Sequence, residues 1–170
     1  SKGKLGKIKR INILYGNGTQ TNVFKTWRDI KNGIIFDIGS HLFSMLFYLV
    51  DNFNLKISQK NNYSYSNKST DHAQIIGRIG KIDFNLEMSY HYWKNTFDLY
   101  ILGEKGNLRT SSLSKWGNPK LIFYKKKFPS GVPHIFEKKY KNYDETWDKE
   151  INFFKSQKLN SLKLLNKDYK

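Results

Sequence analysis

The 170-residue chain has no cysteine, which excludes disulfides, thiolate nucleophiles and cysteine-ligated zinc. That absence fits any compartment, and the cytoplasm is the default expectation. Acidic residues are scarce, 14 against 30 basic ones, for a formal charge of +16. So strong an imbalance ordinarily points to phosphate-rich partners. Arginine, however, is nearly missing too. Only Arg10, Arg28, Arg78 and Arg109 stand beside 26 lysines, whereas nucleic-acid surfaces lean on arginine for bidentate recognition. The joint excess of Lys, Asn and Ile is what an AT-rich coding sequence writes on exposed positions, and it argues against a dedicated nucleic-acid surface. The basic opening Ser1-Lys2-Gly3-Lys4 leads into no apolar run with a cleavage site, so it does not read as a secretory signal. Long apolar runs are also lacking. The greasiest stretch, Leu42 to Val50, is preceded by Asp37 and His41 and falls short of the roughly 20 apolar residues a bilayer requires. No internal repeat and no low-complexity linker divides the chain. Its length suits one domain, 1–170, that folds without staples.

What is present is a change of period along the chain. Lys7 to Tyr15 alternates over Ile11, Ile13 and Tyr15 and stops at the turn signal Gly16-Asn17-Gly18, a first strand. Leu42 to Val50 is apolar at nearly every helical angle, which predicts a helix buried on most sides. From Asp71 the period becomes two. Ile82, Phe84, Leu86, Met88, Tyr90 and Tyr92 share one face of a long half-buried strand, with Asp83, Asn85, Glu87, Ser89 and His91 opposite. Ala73 to Ile79 ends in Gly80-Lys81, and Phe97 to Leu102 ends in Gly103-Glu104-Lys105-Gly106, both connections of hairpin type. Leu121 to Tyr124 is a further strand before the loop Pro129 to Pro133. Asp144 is placed to cap a helix carrying Trp147, Ile151 and Phe154. The polar stretch Asn61 to Thr70 reads as a flexible loop. The order predicts an α+β domain, an open-faced, mainly antiparallel sheet with helices packed on one face and the second face left to water or a partner.

Asp37 and His41 are the pair with chemistry in it. A spacing of four places both on one helical face, and a carboxylate beside an imidazole orients the ring and raises its basicity for taking a proton from an alcohol. The positive end of a helix beginning there would oppose that by favouring the neutral ring. Gly39 between them permits a close approach. The plainer reading is a structural pair, Asp37 capping the helix and His41 packed inside. His72, His91 and His134 do not join His41 in any metal-ligand spacing, no Gly-x-Ser-x-Gly elbow is present, and most aromatics are expected in the core, some on an oligomer face or a sugar-stacking surface.

The string Gly33-Ile34-Ile35-Phe36-Asp37-Ile38-Gly39-Ser40-His41 resembles the Gly-Gly-Gly-x-x-x-Asp-x-Gly-x-His element that opens the second domain of Gfo/Idh/MocA oxidoreductases. Around it, in the family's order, stand Leu5-Gly6-Lys7-Ile8, Trp27-Arg28, Asp71-His72-Ala73, the glycine-bounded Leu102 to Leu108, and a late helix from Trp147 to Phe154 with Glu150. The resemblance runs from about Leu5 to Phe154. It implies hydride transfer between NAD or NADP, held on a separate N-terminal Rossmann domain, and a sugar-like alcohol or ketone lying between that domain and this one. His41 would shuttle the proton of the reacting hydroxyl, and Asp37 would bind substrate or tune His41. Trp27, Arg28 and His91 would contact substrate, and homo-oligomers would form through the open sheet face.

Two departures qualify this. Lys31-Asn32-Gly33 keeps one of three glycines, and Ser44 stands where many members carry aspartate. The dinucleotide fingerprint Gly-x-Gly-x-x-Gly is missing, since Gly16-Asn17-Gly18 meets Thr21 at its third position, and so is the family's Glu-Lys-Pro lysine. The chain is therefore not expected to bind the cofactor or catalyse alone; its abrupt start favours an excised domain of a longer enzyme over a natural fragment. The rival reading is a non-enzymatic basic module for a polyanion or an acidic protein.

Overall fold

Alternation over Ile11 and Ile13 produces β1 (Ile8–Gly16), with Ile11 and Ile13 buried and Arg10 and Asn12 on the other side. The computed structural model describes residues 3–19, 26–30, 32–50, 52–113, 116–140 and 145–156. The remaining elements are a 3-10 turn (Trp27–Asp29), a π-helical turn (Ile35–Gly39) running into α1 (Ser40–Val50), then β2 (Leu55–Tyr63), β3 (His72–Ile79), β4 (Ile82–Ser89), β5 (Thr96–Gly103), β6 (Gly106–Ser111), β7 (Lys120–Lys125), β8 (His134–Lys139) and α2 (Thr146–Ser156). The strands form one sheet in the order β2-β3-β4-β1-β5-β6-β7-β8. β1 pairs parallel with β4 and every other pairing is antiparallel. The expected α+β architecture, an open and mainly antiparallel sheet, is the one observed.

The period of two explains which face is buried. Ile11 lies beside Phe84 and Ile101, and Ile13 beside Leu86 and Leu99, so one face of the central strands is a continuous apolar surface. Ile34, Ile38, Leu42 and Leu46 close over it. A four-residue repeat drifts by about 40° per step on a straight α-helix of 3.6 residues per turn. The π-helical turn, with its wider hydrogen-bonded ring, takes up part of that drift and keeps the four residues over the sheet. At the β3–β4 connection Gly80, at φ 57, supplies the left-handed position that a two-residue hairpin needs.

Three expectations change. α1 is not buried on most sides: Leu42 and Leu46 are buried, whereas Tyr48 is 88% exposed, because the sheet meets the helix on one side only. Asn61 to Thr70 is no floppy loop. Asn61 to Tyr63 extend β2, and Asn67, Ser69 and Thr70 are buried. Three strands are not marked by alternation: the edge strands β2 and β8, largely exposed and without an alternating face, and β6, in which only Gly106 is buried. The late helix forms as α2, with Trp147, Ile151 and Phe154 exposed, while Asp144, expected to cap it, lies outside the described residues. Among the described residues no helix is long and apolar enough to cross a membrane.

Leu46→Ala is expected to destabilise the fold by about 2–5 kcal/mol in urea unfolding, and Tyr48→Ala, on the outer side of the same helix, to stay within about 0.5 kcal/mol.

Candidate functional site

The parallel pair β1 and β4 ends at one rim of the sheet, where open parallel strands generally leave room for a ligand. Directly after β4, Tyr90 continues the inward face of Phe84, Leu86 and Met88 and is fully buried. A buried phenol needs a partner for its hydroxyl. Tyr90 finds one in Asp37, donating to Oδ2 at 2.8 Å. Arg28 donates from Nε to the same oxygen at 2.9 Å. No hydrogen bond or ion pair joins Asp37 to His41 among the described residues. Asp37 is thus neither the cap of a helix nor the orienting partner of His41. The helical stretch begins at Gly33, so Asp37 and His41 both sit well inside it and away from its positive end. His41 is exposed, on the first turn of α1, which also removes the packed interior role. Gly39 does permit a close approach: a Cβ there would lie 3.0 Å from Met88 Sδ.

Arg28 is held from two sides. Its segment is a 3-10 turn capped by Thr26, whose Oγ1 accepts from the Arg28 amide, and its guanidinium lies 4.6 Å above the exposed ring of Trp27. Gly33 explains the one glycine retained in the motif. A Cβ at this position would meet the Arg28 carbonyl oxygen at 1.7 Å, so only glycine lets the start of the helix pass beneath the Arg28 turn.

Behind these residues lies a group that sequence reasoning missed. Asp71 is fully buried and accepts from the backbone amides of Tyr65, Ser66 and Asn67 at 2.9, 2.7 and 3.0 Å. His91 Nε2 lies 3.1 Å from Asp71 Oδ2, ion-pair distance without the alignment of a formal hydrogen bond. Burial alone would raise the Asp71 carboxyl, but these donors outweigh it and hold it below its usual value. The rings of Tyr63 and Tyr65 stack 5.5 Å apart, and Tyr65 meets His91 edge-on. Tyr90 and the Asp71 knot give no sequence-local signal beyond one: Tyr90 lies on an inward face where a hydroxyl demands a partner.

The electrostatics follow from this packing. Burial first, then the bond to Asp37, pushes the Tyr90 phenol well above its ordinary range. Tyr15 is raised by burial and by the same carboxylate, and Tyr92, half-buried and bonded to Glu87, is pushed up to about 12. The Gly16-Asn17-Gly18 turn is no cradle for a dinucleotide. The Tyr92 ring fills the space over Gly16, the Tyr92 carbonyl lies against Gly18, and the turn is stitched to the end of β4 through Asn17 and Ser89. Thr21, the third position of that comparison, lies outside the described residues. Among the described residues no three His, Asp or Glu side chains converge as a metal site. On the opposite sheet face a cleft of about 800 Å³ is lined by Lys9, Tyr100, Arg109, Tyr124, Lys126 and Lys127, among others, and it contains neither Asp37 nor His41.

Residues 1–155 match the model of the oxidoreductase family, C-terminal alpha/beta domain, of the Gfo/Idh/MocA group. Solved structures share the fold at low identity. An oxidoreductase domain protein from Kribbella flavida gives a TM-score of 0.64 at 16% identity, over 85% of this chain and 42% of that one. Levoglucosan dehydrogenase in complex with NADH and levoglucosan gives 0.63 at 16%, over 81% and 41%. An inositol dehydrogenase homologue from Azotobacter vinelandii, with NADH and myo-inositol, gives 0.61 at 16%, over 79% and 36%. The chain therefore spans less than half the length of each of these structures. No curated protein matches it.

Tyr90→Phe is expected to lower stability at neutral pH by about 1–2 kcal/mol, since Asp37 loses a donor. The raised phenol keeps a proton in the folded state that the unfolded chain gives up. Its contribution is therefore complete below the ordinary phenol value of 10.0 and declines as pH rises beyond it. Urea unfolding across alkaline pH should show that decline in the wild type and a shallower one in the variant.

Proposed function

The chain belongs to the Gfo/Idh/MocA oxidoreductase family as its C-terminal alpha/beta domain, and on that premise we propose that it is the substrate-binding and oligomerisation domain of an NAD- or NADP-dependent dehydrogenase acting on a hydroxyl of a sugar, nucleotide sugar or cyclitol. The observation that carries the reading is the division of labour on Asp37. Both Tyr90 and Arg28 bind Oδ2, and among the described residues Oδ1 has no partner, so it is available to a substrate hydroxyl. His41, exposed four residues on along the same helical segment, takes the proton of the reacting hydroxyl during oxidation and returns it during reduction. Trp27 offers an exposed ring face, Arg28 offers donors, and His91 offers its second ring nitrogen, to the remaining hydroxyls.

Hydride chemistry belongs to the nicotinamide, carried by an N-terminal Rossmann domain. This chain contributes position and protons. A crevice shared between two domains also fits the open surroundings of Asp37 and His41 here. That solved relatives of the fold hold NADH with levoglucosan or with myo-inositol favours a polyhydroxylated ring as substrate. For oligomerisation the support is the open sheet face. It carries ion pairs between Arg78 and Asp83 and between Arg109 and Asp98, polar groups that a two-fold partner can meet with copies of themselves.

In the full-length protein, His41→Ala is expected to lower turnover of its sugar or cyclitol substrate by about 10²–10⁴, with substrate still bound; unchanged turnover would contradict the proton-shuttle role.

The rival reading, a basic module for a polyanion or acidic protein, has the lysine-lined cleft in its favour. It competes with oligomerisation for the same sheet face. A salt titration separates the two. Heparin or nucleic-acid affinity that falls steeply with salt supports the module; an oligomer in sedimentation with no polyanion binding at moderate salt supports the dehydrogenase domain.

A further inference from the structure

We propose that Asp71 is the positioning residue of the candidate site, the group from which Arg28, Tyr90 and His91 take their places around the substrate. The inference rests on the reading of Asp37 as the substrate-facing carboxylate. Asp71 itself is fully buried, so it acts through others.

Three routes lead outward from it. The first runs through the side chain and the loop. By gathering the amides of Tyr65, Ser66 and Asn67, the carboxylate folds a polar segment that would otherwise be solvated, and this brings Ser69 and Thr70 against the Arg28 turn. Ser69 Oγ donates to the Arg28 carbonyl at 3.0 Å, and its amide donates to Asp29 Oδ1 at 3.1 Å. The Thr70 carbonyl accepts from the Ile34 amide at 3.2 Å, at the start of the helical segment that carries Asp37. The second route is backbone only. The Asp71 carbonyl accepts from the Tyr90 amide at 2.9 Å, which fixes the residue whose hydroxyl holds Asp37. The third is direct, from Oδ2 to His91 Nε2 at 3.1 Å. One residue thereby sets the Arg28 turn, the Tyr90 ring and the His91 imidazole in a common frame.

A carboxylate is required there. Several N–H groups converge on its two oxygens, and Asn in its place would turn an NH₂ toward donors, leaving buried amides without an acceptor. A misplacement of about 1 Å in such a frame is worth about 10²-fold in rate.

The experiment uses the full-length protein with Asp71→Asn, with Ser69→Ala, which keeps the carboxylate and cuts only the link to Arg28, and with Glu145→Gln, whose carboxylate pairs with Lys149 on the exposed start of α2. Steady-state kinetics on the sugar or cyclitol substrate are paired with carbon NMR of labelled tyrosines, which reports the Tyr90 hydroxyl independently of turnover. The expected result is a fall in kcat of about 10²-fold for Asp71→Asn and a smaller fall for Ser69→Ala. KM should move less than kcat, the Tyr90 resonance should shift in Asp71→Asn, and Glu145→Gln should be unchanged in both. Variants that lose only melting temperature, with kcat and the Tyr90 resonance unmoved, would overturn the proposal. If Asp71→Asn does not fold, Ser69→Ala decides by kcat. If the wild type turns over no sugar or cyclitol, the dehydrogenase reading fails by itself. The Tyr90 resonance then decides for Asp71, a shift in Asp71→Asn upholding the frame and no shift overturning it.

Discussion

A fully buried carboxylate with its donors is the constraint on which the site end of this molecule depends. Burying the charge of Asp71 without partners would cost several kcal/mol. Three backbone amides bond it instead, with His91 at ion-pair distance, and charge-assisted bonds like those of the amides are roughly twice as strong as neutral ones. The segment between β2 and β3 is ordered by that one residue although it carries almost no apolar side chains. In turn it supplies polar contacts to the Arg28 turn and to the first turn of the helix. The apolar core, by contrast, places α1 on the sheet but does not by itself place Arg28, which is held by Asp37, Ser69 and the ring of Trp27.

The two faces of the sheet divide the molecule's work. On one, Ile34, Ile38, Leu42 and Leu46 seal the central strands and carry Asp37 and His41 to the rim where β1 and β4 end. On the other, no helix packs among the described residues. The polar face pairs its charges across strands, Arg78 with Asp83 and Arg109 with Asp98. On the proposed function, this rim is one wall of a crevice shared with the nicotinamide-binding domain.

The central strands could be read from the sequence because their local period and their burial coincide, whereas α1, apolar at nearly every angle, was legible as a helix but not for the single side it buries. Phe84, Leu86 and Met88 alternate with polar neighbours and all three are buried. β2 and β8 could not, since an edge strand with exposed residues on both faces imposes no alternation. The motif residues pointed to Asp37 and His41, yet the partners of Asp37 are nine residues back and 53 residues ahead, contacts that only the folded sheet creates. The Asn61 to Thr70 stretch misled for a physical reason. Asn, Ser and Thr read as solvated by composition, whereas here the amides of Tyr65, Ser66 and Asn67 serve a buried carboxylate, and Asn67, Ser69 and Thr70 are themselves buried. The glycine at position 33 was legible as a motif residue, but its cause, the Arg28 carbonyl packed against it, was not.

The most direct test of the account is a crystal structure of the full-length protein with its nicotinamide cofactor and a bound sugar or cyclitol. The expected result is a substrate hydroxyl within about 2.6–3.2 Å of His41, with a second hydroxyl on Asp37 Oδ1. A ligand seated instead in the lysine-lined cleft of the opposite sheet face, with Asp37 and His41 untouched, would contradict it.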